Sequence, residues 1–207
     1  MAIAWIEIEQ LFQRSSNNIK LQIEGNKNTD AIERLGVSER SVLGQVLINL
    51  ASVEINNYLR VLGKSDEKNG IFSFNDKMKK YFHGNKLIVA YDVWGGLFAI
   101  GNGDFEGDIR TIWYYAPDML QWECLGINYA EFIAWACSEN IKEFYKKFFC
   151  GNVEFLLKKV RGEEAILVYP FLWSKECNIE NADKKVVPIE EIVALNIEYE
   201  KRMYNKR

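Results

Sequence analysis

The sequence is poor in the residues that most often carry catalysis or hold a metal. It contains one histidine, His83, and its four cysteines include no Cys-x-x-Cys pair. A nucleophile–histidine–acid triad would have to use His83, and no G-x-S-x-G motif accompanies it. His83 lies where a helix is expected to end, a position that suits a cationic side chain. We therefore expect neither a catalytic set nor a structural zinc site, and no cofactor.

Long apolar runs and a strong charge of one sign are also missing. No run approaches the roughly 20 residues of a membrane span. The first nine residues alternate apolar and acidic side chains, unlike a secretory signal. We therefore expect a cytoplasmic protein with free thiols that does not enter a membrane. The 26 Lys and Arg residues are spread out among 29 acids, giving a net charge of −3, so nucleic-acid binding is not expected.

Apolar and aromatic residues are abundant instead, at 48% and 14% of the chain. A chain of 207 residues with this composition can bury a sizeable core without disulfides or metals. We find no repeats and no linker, and we expect one α+β domain over residues 1–207. It divides into an N-terminal helical and strand arm at 1–37, a core at 38–175 and a C-terminal segment at 176–207 with an amphipathic helix.

The stretch from Lys86 to Trp135 carries the strongest structural signal. Nearly continuous apolar runs at 86–91 and 97–100 predict strands buried on both faces, and Gly95-Gly96 supplies the turn between them. Strands at 111–115 and 121–125 follow, and a helix starts at Asn128, which has a capping-box glutamate three residues later. We therefore predict a small, bent antiparallel meander that runs into a helix.

The remaining elements follow from helix spacing, caps and alternation. Helices are predicted over residues 5–14, 29–35, from Ser41 through Val53, from Asn75 to Phe82, from Ser138 to Phe149 and from Pro188, at a first helical position, onwards. Strands are predicted over 19–23, 58–62 and 165–169.

A Gly-rich loop, residues 101–108, holds the most suggestive acidic residues. Asp104, Glu106 and Asp108 alternate, as ligands of a hard cation can, but the spacing departs from an EF-hand and the flanks are strands. The loop lacks the lysine and following helix of a phosphate site. A hairpin loop is the favoured interpretation. Asp92 is interpreted as a turn aspartate that bonds its own backbone; the alternative is an acid/base pair with a loop carboxylate.

Aromatic residues flank this loop in the meander. The set comprises Trp94, Trp113, Tyr114, Tyr115 and Trp122, and alternation places about half of these rings in the core. The other half suits partner binding. We predict a contact patch for a protein partner formed by Asp92, Trp94, Asp104, Phe105, Glu106 and Asp108.

Several segments together resemble a known family. Asp92-Val-Trp-Gly-Gly-Leu-Phe-Ala99, the Asn102-Gly103 loop and Trp113-Tyr-Tyr-Ala-Pro-Asp-Met-Leu-Gln-Trp-Glu123 resemble the bacterial domain of unknown function 2625. The likeness extends over roughly Ser38 to Glu191. The order of elements is also similar to the SUKH superfamily. That resemblance implies a small, strongly bent sheet flanked by helices and a protein-binding role, often that of an immunity protein against a toxin. It implies no catalytic residues.

Three functions remain open at this level. The leading hypothesis is a non-enzymatic protein-binding module, an immunity-like protein with another protein, such as a toxin, as its partner. The alternative is a small-molecule or metal-ion binder, or a carboxylate-based hydrolase, that uses the acidic loop. The third is a self-associating protein that uses the apolar stripe from Ile141 to Phe149, so both a monomer and a homodimer are considered.

Overall fold

A computed structural model describes residues 5–23, 29–64, 70–106 and 110–204. The chain order of the elements is α1 (Trp5–Arg14), β1 (Ile19–Ile23), α2 (Asp30–Leu35), α3 (Val42–Asn49), β2 (Leu50–Ile55), β3 (Leu59–Leu62), α4 (Ile71–Met78), β4 (Leu87–Asp92), β5 (Leu97–Ile100), β6 (Thr111–Ala116), β7 (Gln121–Asn128), α5 (Tyr129–Ala136), α6 (Asn140–Tyr145), a 3-10 helix (Lys146–Phe148), α7 (Val153–Leu157), β8 (Glu164–Tyr169), β9 (Asp183–Pro188) and α8 (Ile189–Tyr204).

Seven strands form one antiparallel sheet whose spatial order, β1 to β7, follows the chain. The predicted α+β class, with an antiparallel meander flanked by helices, is confirmed. The sheet is larger than the four strands expected after Lys86, because β1, β2 and β3 pair onto it. Val61 of β3 links the two parts: it pairs with Val53 on one side and with Ala90 on the other.

Helices cover both faces of the central strands. Ala90 pairs with Phe98 and Tyr91 with Leu97, so the side chains of Tyr91 and Phe98 point to opposite faces. The Tyr91 ring stacks on Phe74 of α4, with 4.7 Å between centroids. The Phe98 ring lies 5.0 Å from Phe132 of α5. A strand covered on both sides needs apolar residues at nearly every position, which explains the runs in β4 and β5.

The helix predicted from Ser41 through Val53 is shorter than expected. Ser41 caps it as predicted, since its hydroxyl accepts a hydrogen bond from the backbone N–H of Gly44 at 3.0 Å. However, α3 ends at Asn49 and the chain continues directly as β2. The prediction for residues 50–53 was wrong because their apolar spacing fits a helix and a strand equally well, and pairing with β1 and β3 decides the outcome.

A two-residue turn joins β2 to β3. Asn56 and Asn57 have φ angles of 52° and 62°, and the backbone N–H of Tyr58 donates to the carbonyl of Ile55 at 3.1 Å. Positive φ at both central residues is the mark of a type I′ turn, whose twist matches that of paired strands. The hairpin extends the meander upstream.

The C-terminal part adds a second, two-stranded sheet, β8 with β9. β9 was not predicted, and Pro188 closes it instead of opening a helix, so that α8 begins one residue later. The backbone N–H of Ile166 donates to the carbonyl of Val93 at 2.6 Å, which ties this hairpin to the end of β4. Upstream, α4 begins before the expected Asn75, and the helix expected over 138–149 is α6 followed by the 3-10 helix.

One hydrophobic cluster runs from Ile8 in α1 to Ile197 in α8. Among residues 5–23, 29–64, 70–106 and 110–204, no helix has both the length and the apolar character that crossing a bilayer requires.

Candidate functional site

A fully buried carboxylate lies at the end of β4. Asp92 Oδ1 accepts hydrogen bonds from the backbone N–H groups of Trp94 and Gly96, both at 2.8 Å. Its Oδ2 accepts from the hydroxyls of Tyr114 at 2.8 Å and Tyr145 at 3.0 Å. Burial raises the pKa of Asp92, and the four donors oppose that rise. The prediction of a turn aspartate that bonds its own backbone is confirmed, and its carboxylate is fully used inside the protein.

The turn after Asp92 explains the Gly95-Gly96 pair. Gly95 has a φ of +88°, and a Cβ there would lie 2.5 Å from Cγ2 of Ile192 in α8. A Cβ on Gly96 would collide with the Asp92 carboxylate and with the Tyr114 hydroxyl. Both glycines are therefore required by close approach, and the first also by its backbone conformation.

Trp94 packs inside the protein beside this turn. Its side chain is fully buried, and its ring stacks on Phe148 with 5.1 Å between centroids. The surface patch predicted from sequence therefore does not include Asp92 or Trp94. Neither is accessible to a partner, because both side chains are fully buried.

Asp104 holds the acidic loop against the body of the protein. Its Oδ2 accepts a hydrogen bond from the backbone N–H of Asn85 at 2.6 Å and lies 3.8 Å from Nζ of Lys86. Gly84, with a φ of +101°, permits this approach, since a Cβ there would collide with the Asp104 carboxylate. Asp104 therefore holds the loop through contacts within the protein. It does not form an acid/base pair with the buried Asp92.

Phe105 is also turned inward. Its ring stacks on Trp113, with 4.3 Å between centroids and 13° between planes. Of the remaining predicted patch residues, Glu106 is exposed, and Asp108 lies outside the described residues. Most of the meander aromatics pack in the core: Trp94, Tyr114 and Tyr115 are buried, while Trp113 and Trp122 are half-buried.

The polar residues considered for catalysis are scattered. His83 is exposed, after the end of α4. The four cysteines are unpaired, and Cys137 is buried with a thiol pKa raised to about 12 by burial. Within the part of the chain that the structure describes, no group of three or more His, Cys, Asp or Glu side chains lies close enough together to hold a metal ion.

A surface groove runs along α7, and we call it the α7 groove. It consists of two adjoining depressions of about 420 Å³ each. Tyr58 and Phe149 line the first, Arg161 lines the second, and Leu157 and Lys158 line both. The shared residues make the two depressions one continuous, elongated surface.

The apolar floor of the α7 groove is held by the type I′ turn. The Tyr58 ring meets Phe149 edge-on, with 5.2 Å between centroids, and lies 4.9 Å from Tyr145. The Tyr58 hydroxyl accepts a hydrogen bond from Asn56 Nδ2 at 2.8 Å, and Asn56 Nδ2 also donates to Asn17 Oδ1 at 2.9 Å. Tyr58 is therefore fixed, while Phe149 remains 37% exposed at the rim.

Positive charge exceeds negative charge around the α7 groove. Lys20 and Lys142 are already paired, with Glu54 at 2.7 Å and Glu139 at 2.9 Å respectively. The Arg161 guanidinium donates only to backbone carbonyls, and neither it nor the Lys158 ammonium contacts a carboxylate among the described residues. The groove therefore combines an aromatic floor with two cations that a partner's acidic groups can engage.

Sequence reasoning missed this groove. Its floor joins the β2–β3 turn to residues nearly a hundred positions later, and no local pattern reports that contact. The available signal was Asn56-Asn57 between two apolar runs, which favours a hairpin turn.

The family comparison covers nearly the whole chain. The family model described as "Protein of unknown function DUF2625" matches residues 2–192. The chain belongs to this family. The resemblance inferred from the Asp92–Ala99 and Trp113–Glu123 segments is thereby confirmed.

Two relatives match along most of the chain. The uncharacterized protein YbfG of Escherichia coli K12 is 29% identical over 193 residues, covering 91% of this chain and 88% of the relative. An uncharacterized protein of Haemophilus influenzae is 28% identical over 198 residues, covering 90% and 86%.

Proposed function

We propose that this protein is a non-enzymatic protein-binding module that receives an acidic, partly apolar segment of another protein in the α7 groove. One observation carries the proposal: an exposed aromatic edge, Phe149, lines the same groove as two cations, Lys158 and Arg161, that lack carboxylate partners among the described residues. Aromatic anchors surrounded by polar groups are typical of the energetically important centre of protein interfaces.

The residues available for chemistry support binding over turnover. The buried Asp92 carboxylate has four donors and no open face. In the groove, Glu54 is paired with both Lys20 and Arg60, which leaves Glu154 as the remaining lining carboxylate. Acid/base hydrolysis by carboxylates uses two such groups in different protonation states.

The finer form of the proposal is an immunity-like role in which the partner is a toxin. Its support is the similarity of the element order to the SUKH superfamily. The charge of the α7 groove favours an acidic partner surface, the opposite of the basic surface that an acidic patch at residues 104–108 would match.

Phenylalanine truncation tests the proposal with a matched control. Phe149 lines the groove, whereas Phe155 is 58% exposed and does not line it. Wild type, Phe149→Ala and Phe155→Ala would each be used as bait in a lysate of the native host, after thermal melting shows that all three fold. A specific partner held by wild type and Phe155→Ala should be lost from Phe149→Ala, by at least about tenfold in affinity. Equal retention by both variants would refute the groove as the contact surface.

A further inference from the structure

A separate cleft lies between α2, α4 and the start of β4, and residues 101–102 of the Gly-rich loop border it. Its volume is about 680 Å³, within the range of small-molecule sites. It shares no lining residue with the α7 groove. We call it the α4 cleft.

The interior of the α4 cleft is apolar. Leu35, Leu87 and Ile100 line it, and each is half-buried, which leaves apolar surface accessible in the cleft. Asn75, also in the lining, donates from Nδ2 to the carbonyl of Ile88 at 2.8 Å and accepts from the backbone N–H of Ile88, also at 2.8 Å. These bonds fix α4 against β4, so the interior wall is already in place before a ligand arrives.

The rim of the α4 cleft is basic. Lys79 and Lys86 already have acidic neighbours, Asp76 at 2.7 Å and Asp104 at 3.8 Å. Arg34 differs from them. Its guanidinium carbon lies 3.9 Å from the centroid of the Phe72 ring, and it makes no hydrogen bond to a carboxylate within the described residues.

The stacked arginine is suited to recognise a planar oxyanion. Contact with the Phe72 ring restrains the guanidinium, and no salt bridge occupies its N–H groups among the described residues, so it can bind a carboxylate through two parallel hydrogen bonds. Arg110 also lines the cleft and already interacts within the protein, as the two lysines do, so the charge that Arg34 offers matches a single negative charge.

We propose that the α4 cleft binds a small organic monocarboxylate. Its apolar body lies against Leu35, Leu87 and Ile100, and its carboxylate accepts hydrogen bonds from Arg34. A doubly charged phosphate ester fits less well, because the C-terminal end of α4 presents negative charge to the cleft. The site is independent of the proposed protein partner.

Three probes that carry a phenyl ring and different head groups distinguish the ligand chemistry: 4-phenylbutyrate, 4-phenylbutan-1-ol and phenyl phosphate. Isothermal titration calorimetry would measure their affinities for the full chain. We expect 4-phenylbutyrate to bind at least about tenfold more tightly than the alcohol, the usual value of a charge-assisted hydrogen-bond pair, and more tightly than phenyl phosphate. Amide chemical-shift changes should map to residues around the cleft.

Arg34→Met supplies the variant, since it keeps an apolar stem over Phe72 and removes the charge. Arg40→Met is the control, because Arg40 is exposed and does not line the cleft. Arg34→Met should weaken 4-phenylbutyrate binding at least about tenfold, and Arg40→Met should leave it unchanged. Any one of five results would overturn the proposal. Three concern the probes: no binding of 4-phenylbutyrate at millimolar concentrations, equal affinity for the alcohol, or tighter binding of phenyl phosphate. The other two are chemical-shift changes that map outside the cleft and unchanged binding of 4-phenylbutyrate by Arg34→Met.

Discussion

The hydroxyl of Tyr145 in α6 donates a hydrogen bond of 3.0 Å to the carboxylate of Asp92, 53 residues earlier at the end of β4. Tyr114 on β6 donates to the same oxygen. One buried carboxylate therefore joins three elements, and the turn, the sheet and the α5–α6 region depend on it together.

Removal of this carboxylate should destabilise the fold strongly. Asp92→Ala leaves two backbone N–H groups and two tyrosine hydroxyls buried without their acceptor. Each such group costs about 1–3 kcal/mol, so we expect the free energy of unfolding to fall by at least about 3 kcal/mol. Urea unfolding would measure the change, with Glu106→Ala, at an exposed position, as the control expected to match wild type. A loss below about 1 kcal/mol would show that the cluster is not a stabilising centre.

Alanine at Gly96 should be far more harmful than alanine at Gly103. At Gly96 the added Cβ meets Asp92 and Tyr114, whereas at Gly103 it meets nothing within 4 Å and only the φ of +86° opposes it. We expect Gly103→Ala to cost about 1 kcal/mol and Gly96→Ala to cost several times more, because packed side chains must move. Denaturant midpoints of the two variants provide the comparison, and equal losses would contradict the close packing described here.

The raised pKa of Asp92 predicts how stability varies with pH. The folded state binds a proton more readily at this group than the unfolded chain, whose aspartate pKa is roughly 4. The contribution of Asp92 to stability is therefore fully present below roughly pH 4 and is lost as pH rises through the raised native pKa.

Asp92→Asn isolates this effect, because asparagine does not titrate. The stability of wild type relative to Asp92→Asn should decrease as pH rises from roughly 4 towards neutrality. Urea unfolding of both proteins at a series of pH values would test it. A relative stability that increases over the same range would mean that the hydrogen bonds outweigh burial and lower the pKa instead.

The meander was predictable because its signals are local. Apolar runs, Gly95-Gly96 and the Asn128 capping box each act within a few residues, and all are found as expected. The strand at Leu50–Ile55 was not predictable from local signals, because apolar residues at its positions also continue the helix spacing of α3. Only its neighbours in the sheet distinguish the two.

The candidate sites were harder to predict, since they depend on which way a side chain points. Asp104 and Phe105 are in a polar, Gly-rich loop and were expected to face a partner, yet both make contacts within the protein. The cations of the two proposed sites, Lys158, Arg161 and Arg34, carry no distinctive motif. Their significance comes from neighbours far away in sequence.

The central claim is that the α7 groove binds an acidic surface of another protein, and charge reversal at adjacent lysines tests it most directly. Lys158 lines the groove, whereas Lys159 lies over the Phe155 ring at 4.0 Å and does not. The dissociation constant of the captured partner would be measured for Lys158→Glu and Lys159→Glu. We predict a loss of at least about tenfold for Lys158→Glu and little change for Lys159→Glu. Equal effects of the two variants, or tighter binding by Lys158→Glu, would contradict the account.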